Sequence, residues 1–95
     1  NATMNCSYKT SITSLQWYRQ DSSRGLTQLI LIRSNEREKY SGRLRVTLDT
    51  FTKSSSLFVA AAQAADTAAY FCATRSGGGT GKLTFGKGTR LIIQP

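Results

Sequence analysis

The chain has 95 residues, with 13 Lys and Arg against 5 Asp and Glu, two Cys and no His, for a formal charge of +8. That length holds one domain with a modest apolar core. Without an imidazole, and with the carboxylates Asp21, Glu36, Glu38, Asp49 and Asp66 dispersed, acid–base catalysis and a metal centre are both unexpected.

Turn residues interrupt the chain at short intervals, and the segments between them alternate or are β-rich, as the strands of an all-β sandwich do. A helical period is nowhere sustained. Met4, Cys6 and Tyr8 share one face of the first segment, while Asn1-Ala2-Thr3 and Asn5-Cys6-Ser7 both match the acceptor pattern for N-linked sugar. Leu15, Trp17 and Arg19 share the next inner face and leave Gln16, Tyr18 and Gln20 outward. The cations run from Lys9 to Arg90, densest from Arg33 to Arg45 with Glu36 and Glu38 among them. They read as a solvated surface rather than the continuous stripe of a nucleic-acid binder.

Leu44, Val46 and Leu48 alternate with Arg43, Arg45 and Thr47, and Leu57 and Val59 repeat the pattern. The stretch Ala60-Ala61-Ala62-Gln63-Ala64-Ala65 favours helix by composition but is too short to hold one alone. It reads as a strand end and one turn before Asp66, whose carboxylate can take a bidentate pair from Arg43. Ala68, Tyr70 and Cys72 then face inward and Phe71 outward.

Cys6, Trp17 and Cys72 are spaced so that one disulfide can join two sheets with the indole packed against it. Tyr70, two residues before Cys72, can tie its hydroxyl to backbone upstream. This is the core of an immunoglobulin sandwich, and the crosslink places the domain in an oxidising compartment. No stretch reads as a signal peptide or as a bilayer span, so any membrane anchor is expected outside this segment. On the sheet carrying Trp17 and Cys72, the outward residues Tyr18, Leu26, Phe71 and Phe85 surround Gln20. A sheet with large side chains on both faces hides both. A second protein domain is therefore expected there, with Gln20 meeting an equivalent amide across a pseudo-two-fold axis.

In Phe85-Gly86-Lys87-Gly88, two glycines at the start of the strand 89–93 permit a bulge that turns Phe85 into that interface. The overlapping run from Gly81-Lys82 to Lys87 resembles part of a phosphate-binding loop. Gly88 stands where Ser or Thr would hold magnesium, and a β-branched strand follows instead of a helix, so phosphate is not expected.

Trp17-Tyr18-Arg19-Gln20, the block Asp66–Cys72 and Phe85-Gly86-Lys87-Gly88-Thr89 together resemble a V-type immunoglobulin domain, and specifically the variable domain of a T-cell receptor alpha chain. Antibody heavy chains usually carry Trp where Phe85 stands. Antibody light chains usually carry Lys-Pro-Gly near Asp21-Ser22-Ser23-Arg24-Gly25. The resemblance covers nearly the whole chain as one domain, with 1–84 similar to a variable segment and its junction and 85–95 to a joining segment. It implies a Greek-key V-type sandwich. Only five residues precede Cys6, too few for the family's first strand, so that strand is expected to be lacking, with an exposed sheet edge as the consequence.

The resemblance also implies pairing with a beta-chain variable domain and recognition of a peptide presented by a major histocompatibility molecule. Location at the extracellular face of the plasma membrane follows, with no cofactor, nucleic acid or small-molecule substrate. The first binding loop is expected over Thr10, Ser11, Ile12, Thr13 and Ser14. The second runs from Ile32 to Glu38 through Arg33, Ser34, Asn35, Glu36 and Arg37. The third runs from Ala73 to Thr84 and includes Arg75, Ser76, Gly77, Gly78, Gly79, Thr80, Gly81 and Lys82. Ile12, Arg33, Asn35 and Arg37 are expected toward the presenting surface, and Arg75 and Lys82 toward the peptide or the partner chain. The glycines allow close approach, and ordering them lowers affinity. An antibody-like or adhesion V domain binding a protein ligand is the alternative.

Overall fold

Apolar side chains at every second position give each strand one water-avoiding face, and two antiparallel sheets close over those faces. The computed structural model describes residues 1–20, 25–77 and 81–94. In chain order the strands are β1 (Ala2–Ser7), β2 (Ile12–Gln20), β3 (Leu26–Arg33), β4 (Glu38–Ser41), β5 (Leu44–Asp49), β6 (Ser54–Val59), β7 (Ala68–Ser76), β8 (Leu83–Phe85) and β9 (Thr89–Leu91). One sheet runs β1-β6-β5-β4. The other runs β3-β2-β7-β8, with β9 also paired to β7. β1 pairs only with β6 and so forms an edge of its sheet among the described residues.

The expected inner faces are the observed ones: Met4, Leu15, Trp17, Val46, Leu48, Leu57, Val59, Ala68, Tyr70 and Cys72 are all buried, with Ile30 and Ile32 added from β3. Cys6 and Cys72 are bonded and join the two sheets. Trp17 stands opposite Cys72 in the β2–β7 register. A buried indole N–H needs an acceptor. Its Nε1 donates to the Ser55 hydroxyl at 3.1 Å, and that hydroxyl donates to the Thr47 carbonyl at 2.8 Å, so a polar relay crosses the core from β2 to β6 and β5. Nothing in the alternation singled out Ser55 for this.

At the end of the sandwich where β7 begins, the alanine stretch forms a turn and then a single 3-10 turn, Ala64–Asp66. Arg43 grips Asp66 bidentately, Nη1 to Oδ2 at 3.1 Å and Nη2 to Oδ1 at 2.9 Å, as expected from the sequence. Its Nη1 also reaches the carbonyls of Ala60 and Ala61. Asp66 Oδ2 accepts the Gln63 N–H at 2.8 Å, and the Tyr70 hydroxyl donates to the Asp66 carbonyl at 2.7 Å. Arg19, at the end of its inner face, adds a hydrogen bond to the Ala65 carbonyl. The Arg43 hydrogen bonds, helped by the Gln63 N–H, hold the Asp66 carboxyl below the usual carboxylate range.

Candidate functional site

Two surfaces of the β3-β2-β7-β8 sheet carry the residues singled out by sequence: its outer face and its loop-bearing end. On the outer face, Tyr18 stands opposite Phe71 in register, and Phe85 stands opposite Ala73. The Tyr18 and Phe85 rings lie 5.3 Å apart at 43°. Leu26 and Phe85 remain about half exposed, and Gln20, Leu26, Phe71, Phe85 and Gly86 line a shallow depression of about 240 Å³. The five expected interface residues therefore converge on one face, turned away from the core. Gln16, placed outward by alternation, is buried on that outer face, because β2 is flanked on both sides and the Tyr18 hydroxyl donates to the Gln16 side-chain Oε1.

The glycine pair works as expected and in one further way. Between the pairs Ala73–Phe85 and Tyr70–Thr89, β7 contributes Phe71 and Cys72 while the other strand contributes Gly86, Lys87 and Gly88, so one extra residue is accommodated. The Gly86 N–H still reaches the Cys72 carbonyl at 2.9 Å. A Cβ on Gly88 would lie 2.4 Å from the Phe71 ring, so the absence of a side chain there lets the ring lie across the strand. The strand expected over 89–93 is shorter, Thr89–Leu91, and the Ile93 N–H turns to the Thr67 hydroxyl.

At the loop end, β2 is the common spine: Ser14 pairs with Arg33 on one side and Arg75 on the other. Thr13 in β2 ties the second loop to β7, its carbonyl accepting the Ser34 N–H at 3.0 Å and its hydroxyl donating to the Arg75 carbonyl at 3.2 Å. Thr10 and Ser76 share a hydroxyl contact at 3.4 Å.

Several loop boundaries are corrected. Ile12 and Ser14 lie within β2 and are buried, so the first loop is 8–11 with Thr13 exposed at its rim. The register shift between Ile12 and Ser14 offsets the alternation, so Ile12 joins the core with Leu15 and Trp17. Ile32 is fully buried in β3, and Arg33 and Glu38 are strand residues, which leaves 34–37 as the second loop. Glu36 serves its own turn, its carboxylate taking the Arg33 N–H at 2.8 Å. In the third loop Ala73 to Ser76 continue β7, and Ala73 and Thr74 are buried. Arg75 Nη1 donates to the Gly81 carbonyl at 2.5 Å, and Gly81 has φ +57, which glycine adopts without strain. Gly77 and Lys82 are exposed; Gly78, Gly79 and Thr80, like Asp21, Ser22, Ser23, Arg24 and Pro95, lie outside the described residues.

The immunoglobulin V-set domain family matches residues 1–94. The chain belongs to this V-set family. Human T cell receptor alpha variable 17 is 80% identical over 74 residues, covering 78% of this chain and 66% of the relative. Human T cell receptor alpha chain MC.7.G5 is 38% identical over 99 residues, 98% of this chain and 34% of the relative. The mouse T-cell receptor alpha chain V region 2B4 is 38% identical over 93 residues, 96% of this chain and 70% of the relative. The V-set domain thus spans just under two thirds of the first of these relatives and one third of the second.

Two further features of this V-set domain bear on its setting. Both sequon asparagines are exposed on β1 and its start, Asn1 taking the Ala61 N–H and Asn5 the Ser56 hydroxyl through their side-chain oxygens. Among the described residues no helix is long and apolar enough to cross a membrane, and no three potential metal ligands cluster.

Proposed function

We propose that this V-set domain is the antigen-recognition module of a T-cell receptor alpha chain. Its outer β3-β2-β7-β8 face pairs with a beta-chain variable domain, and its loop end binds a peptide presented by a major histocompatibility molecule. The observation that carries this reading is the meeting of Tyr18, Phe71 and Phe85 with half-exposed Leu26 around Gln20, on the face opposite the core. Such a contiguous apolar face on a small domain is a docking surface for another domain. The Gly88 site, where a side chain would displace Phe71, keeps that face flat.

In this reading residues 1–84 derive from a variable segment and its junction and 85–95 from a joining segment. Relatives named as variable segments align over 73 or 74 residues and two named as chains over 93 or 99, which supports a joint between segments. The activity is binding rather than catalysis, the receptor lies at the extracellular face of the plasma membrane, and Asn1 and Asn5 are its sugar acceptors.

Sedimentation of the domain mixed with beta-chain variable domains tests the pairing. A one-to-one heterodimer is expected, and Phe85→Ser should weaken it at least about tenfold, as loss of an aromatic anchor does. Self-association, with no response to the beta domain, would support the adhesion-type alternative instead.

A further inference from the structure

The outer faces of the two sheets differ in chemistry. That of β3-β2-β7-β8 is aromatic, whereas that of β1-β6-β5-β4 carries Thr3, Asn5, Thr47, Ser54 and Ser56, all alternating with buried neighbours. One row across the second face departs from this. Thr3 pairs with Phe58, Phe58 with Arg45 and Arg45 with Tyr40 in successive strand registers. Phe58 is half-buried, the Arg45 guanidinium lies 5.6 Å from the centre of its ring, and Tyr40 is 64% exposed. Arg45 Nη1 is steadied by Glu38 Oε2 at 3.2 Å. Tyr40, Arg45, Phe58 and Ala60 border a depression of about 320 Å³.

Asn1 stands beside this depression, because the Ala2–Val59 register carries it to Ala60 on the rim. Its side-chain oxygen accepts the Ala61 N–H at 2.8 Å, and Ala61 has φ +50, a region that few non-glycine residues occupy. The Asn1 amide is thus oriented before any sugar is attached. N-glycosylation joins the amide nitrogen to the anomeric carbon of a glycosyl diphosphate, the diphosphate leaving and one amide proton being released. The carbonyl oxygen is untouched, so its bond to Ala61 survives. Asn5, by contrast, faces the row Ser56–Thr47–Glu38, which holds no aromatic ring.

We propose that the row Phe58–Arg45–Tyr40 is a docking platform for the N-linked glycan of Asn1, whose first two N-acetylglucosamine units lie across the sheet. Adjacent strands are about 4.8 Å apart, so the first sugar reaches Ala60 and Phe58 and the second Arg45 and Tyr40. The C–H face of a pyranose packs on the electron-rich face of an aromatic ring. Sugar hydroxyl and acetamido oxygens accept from the guanidinium and the phenol. A glycan held there covers this face and leaves the aromatic face of the other sheet open to a protein partner. The inference rests on the reading of Asn1 as a sugar acceptor.

The test uses the alpha–beta receptor secreted with high-mannose glycans whose N-acetyl methyl groups are isotopically labelled. The Asn1 signals are those lost in Thr3→Ala, which removes the acceptor pattern. An N-acetyl methyl signal displaced by the ring current of Phe58 is expected, and Phe58→Leu should return it to the position of a free glycan. An endoglycosidase that cuts between the first two sugars should act at Asn1 of the folded Phe58→Leu receptor at least about threefold faster, as loss of an aromatic contact allows. Tyr40→Ala should accelerate cutting too, without moving the thermal midpoint of the sugar-free protein. A glycan present on Asn1 with an undisplaced signal, and cut at the same rate in both variants, overturns the platform and leaves Asn1 standing as an acceptor. Mass spectrometry that finds no glycan on Asn1 overturns both.

Discussion

The two ends of β7 differ in what their charged side chains accomplish. Before Ala68, Asp66 is buried and satisfied by Arg43, by the Gln63 N–H and, through its carbonyl, by Tyr70. At the Ser76 end of the sandwich, three exposed or half-buried charged groups hold backbone: Arg75 the Gly81 carbonyl, Glu36 the Arg33 N–H, Lys53 the Lys9 carbonyl. A carboxylate removed from water needs partners within the fold. Exposed groups keep water as an alternative partner, so their bonds shape loops more than they add stability. The contrast separates an end that holds the sandwich together from an end left to present side chains.

Breaking what both ends depend on should have the largest effect. Cys72→Ser removes a crosslink that closes 66 residues, and loss of that constraint on the unfolded chain is worth roughly 4 kcal/mol, to be read from denaturant unfolding. Next comes Asp66→Ala, expected to destabilise by about 2 kcal/mol because the buried acceptor of several donors is gone. The same pair has a pH signature. Because the folded-state pKa of Asp66 lies below its unfolded value near 4, its contribution is fully present above that value and disappears as pH falls through the folded one. Melting should therefore drop on acidification in the parent protein and drop less in Asp66→Asn.

Tyr70→Phe deletes one hydrogen bond to the Asp66 carbonyl and should cost about 1 kcal/mol in the same unfolding assay. Arg75→Ala at the opposite end should cost less than about 0.5 kcal/mol, as exposed surface changes do, while amide exchange near Gly81 accelerates. Equal destabilisation by Tyr70→Phe and Arg75→Ala would erase the distinction between the ends.

Much of the closed end was legible in the residues. Arg43 and Asp66 are complementary in shape and charge, and Tyr70 stands two residues before Cys72, so local chemistry already limited what each could do. The outer aromatic face was legible for a similar reason: strict two-residue alternation puts Tyr18 and Phe71 opposite the core residues Trp17 and Cys72. The loop end was less so. Ile12 and Ser14 read as loop because nothing in their own segment shows that β7 extends to Ser76 and draws them into the sheet. The backbone bonds of Glu36 and Arg75 were not legible, because their partners lie three and six residues away across turns whose shape the sequence does not state. Ser55 gave no signal, since a small hydroxyl becomes the indole's acceptor only when two sheets are stacked.

Alternation, the Cys–Trp–Cys spacing and the glycine pair after Phe85 were enough to determine a crosslinked two-sheet sandwich with one apolar face left outside. These are local rules of side-chain direction and backbone freedom, which act wherever the chain folds. Strand lengths at the loop end, the Trp17–Ser55–Thr47 relay and the bond from Lys53 to the Lys9 carbonyl were decided only by tertiary structure. Each depends on a hydrogen-bond partner distant in sequence, and such partners are chosen by how the sheets and turns pack rather than by the residues next to them.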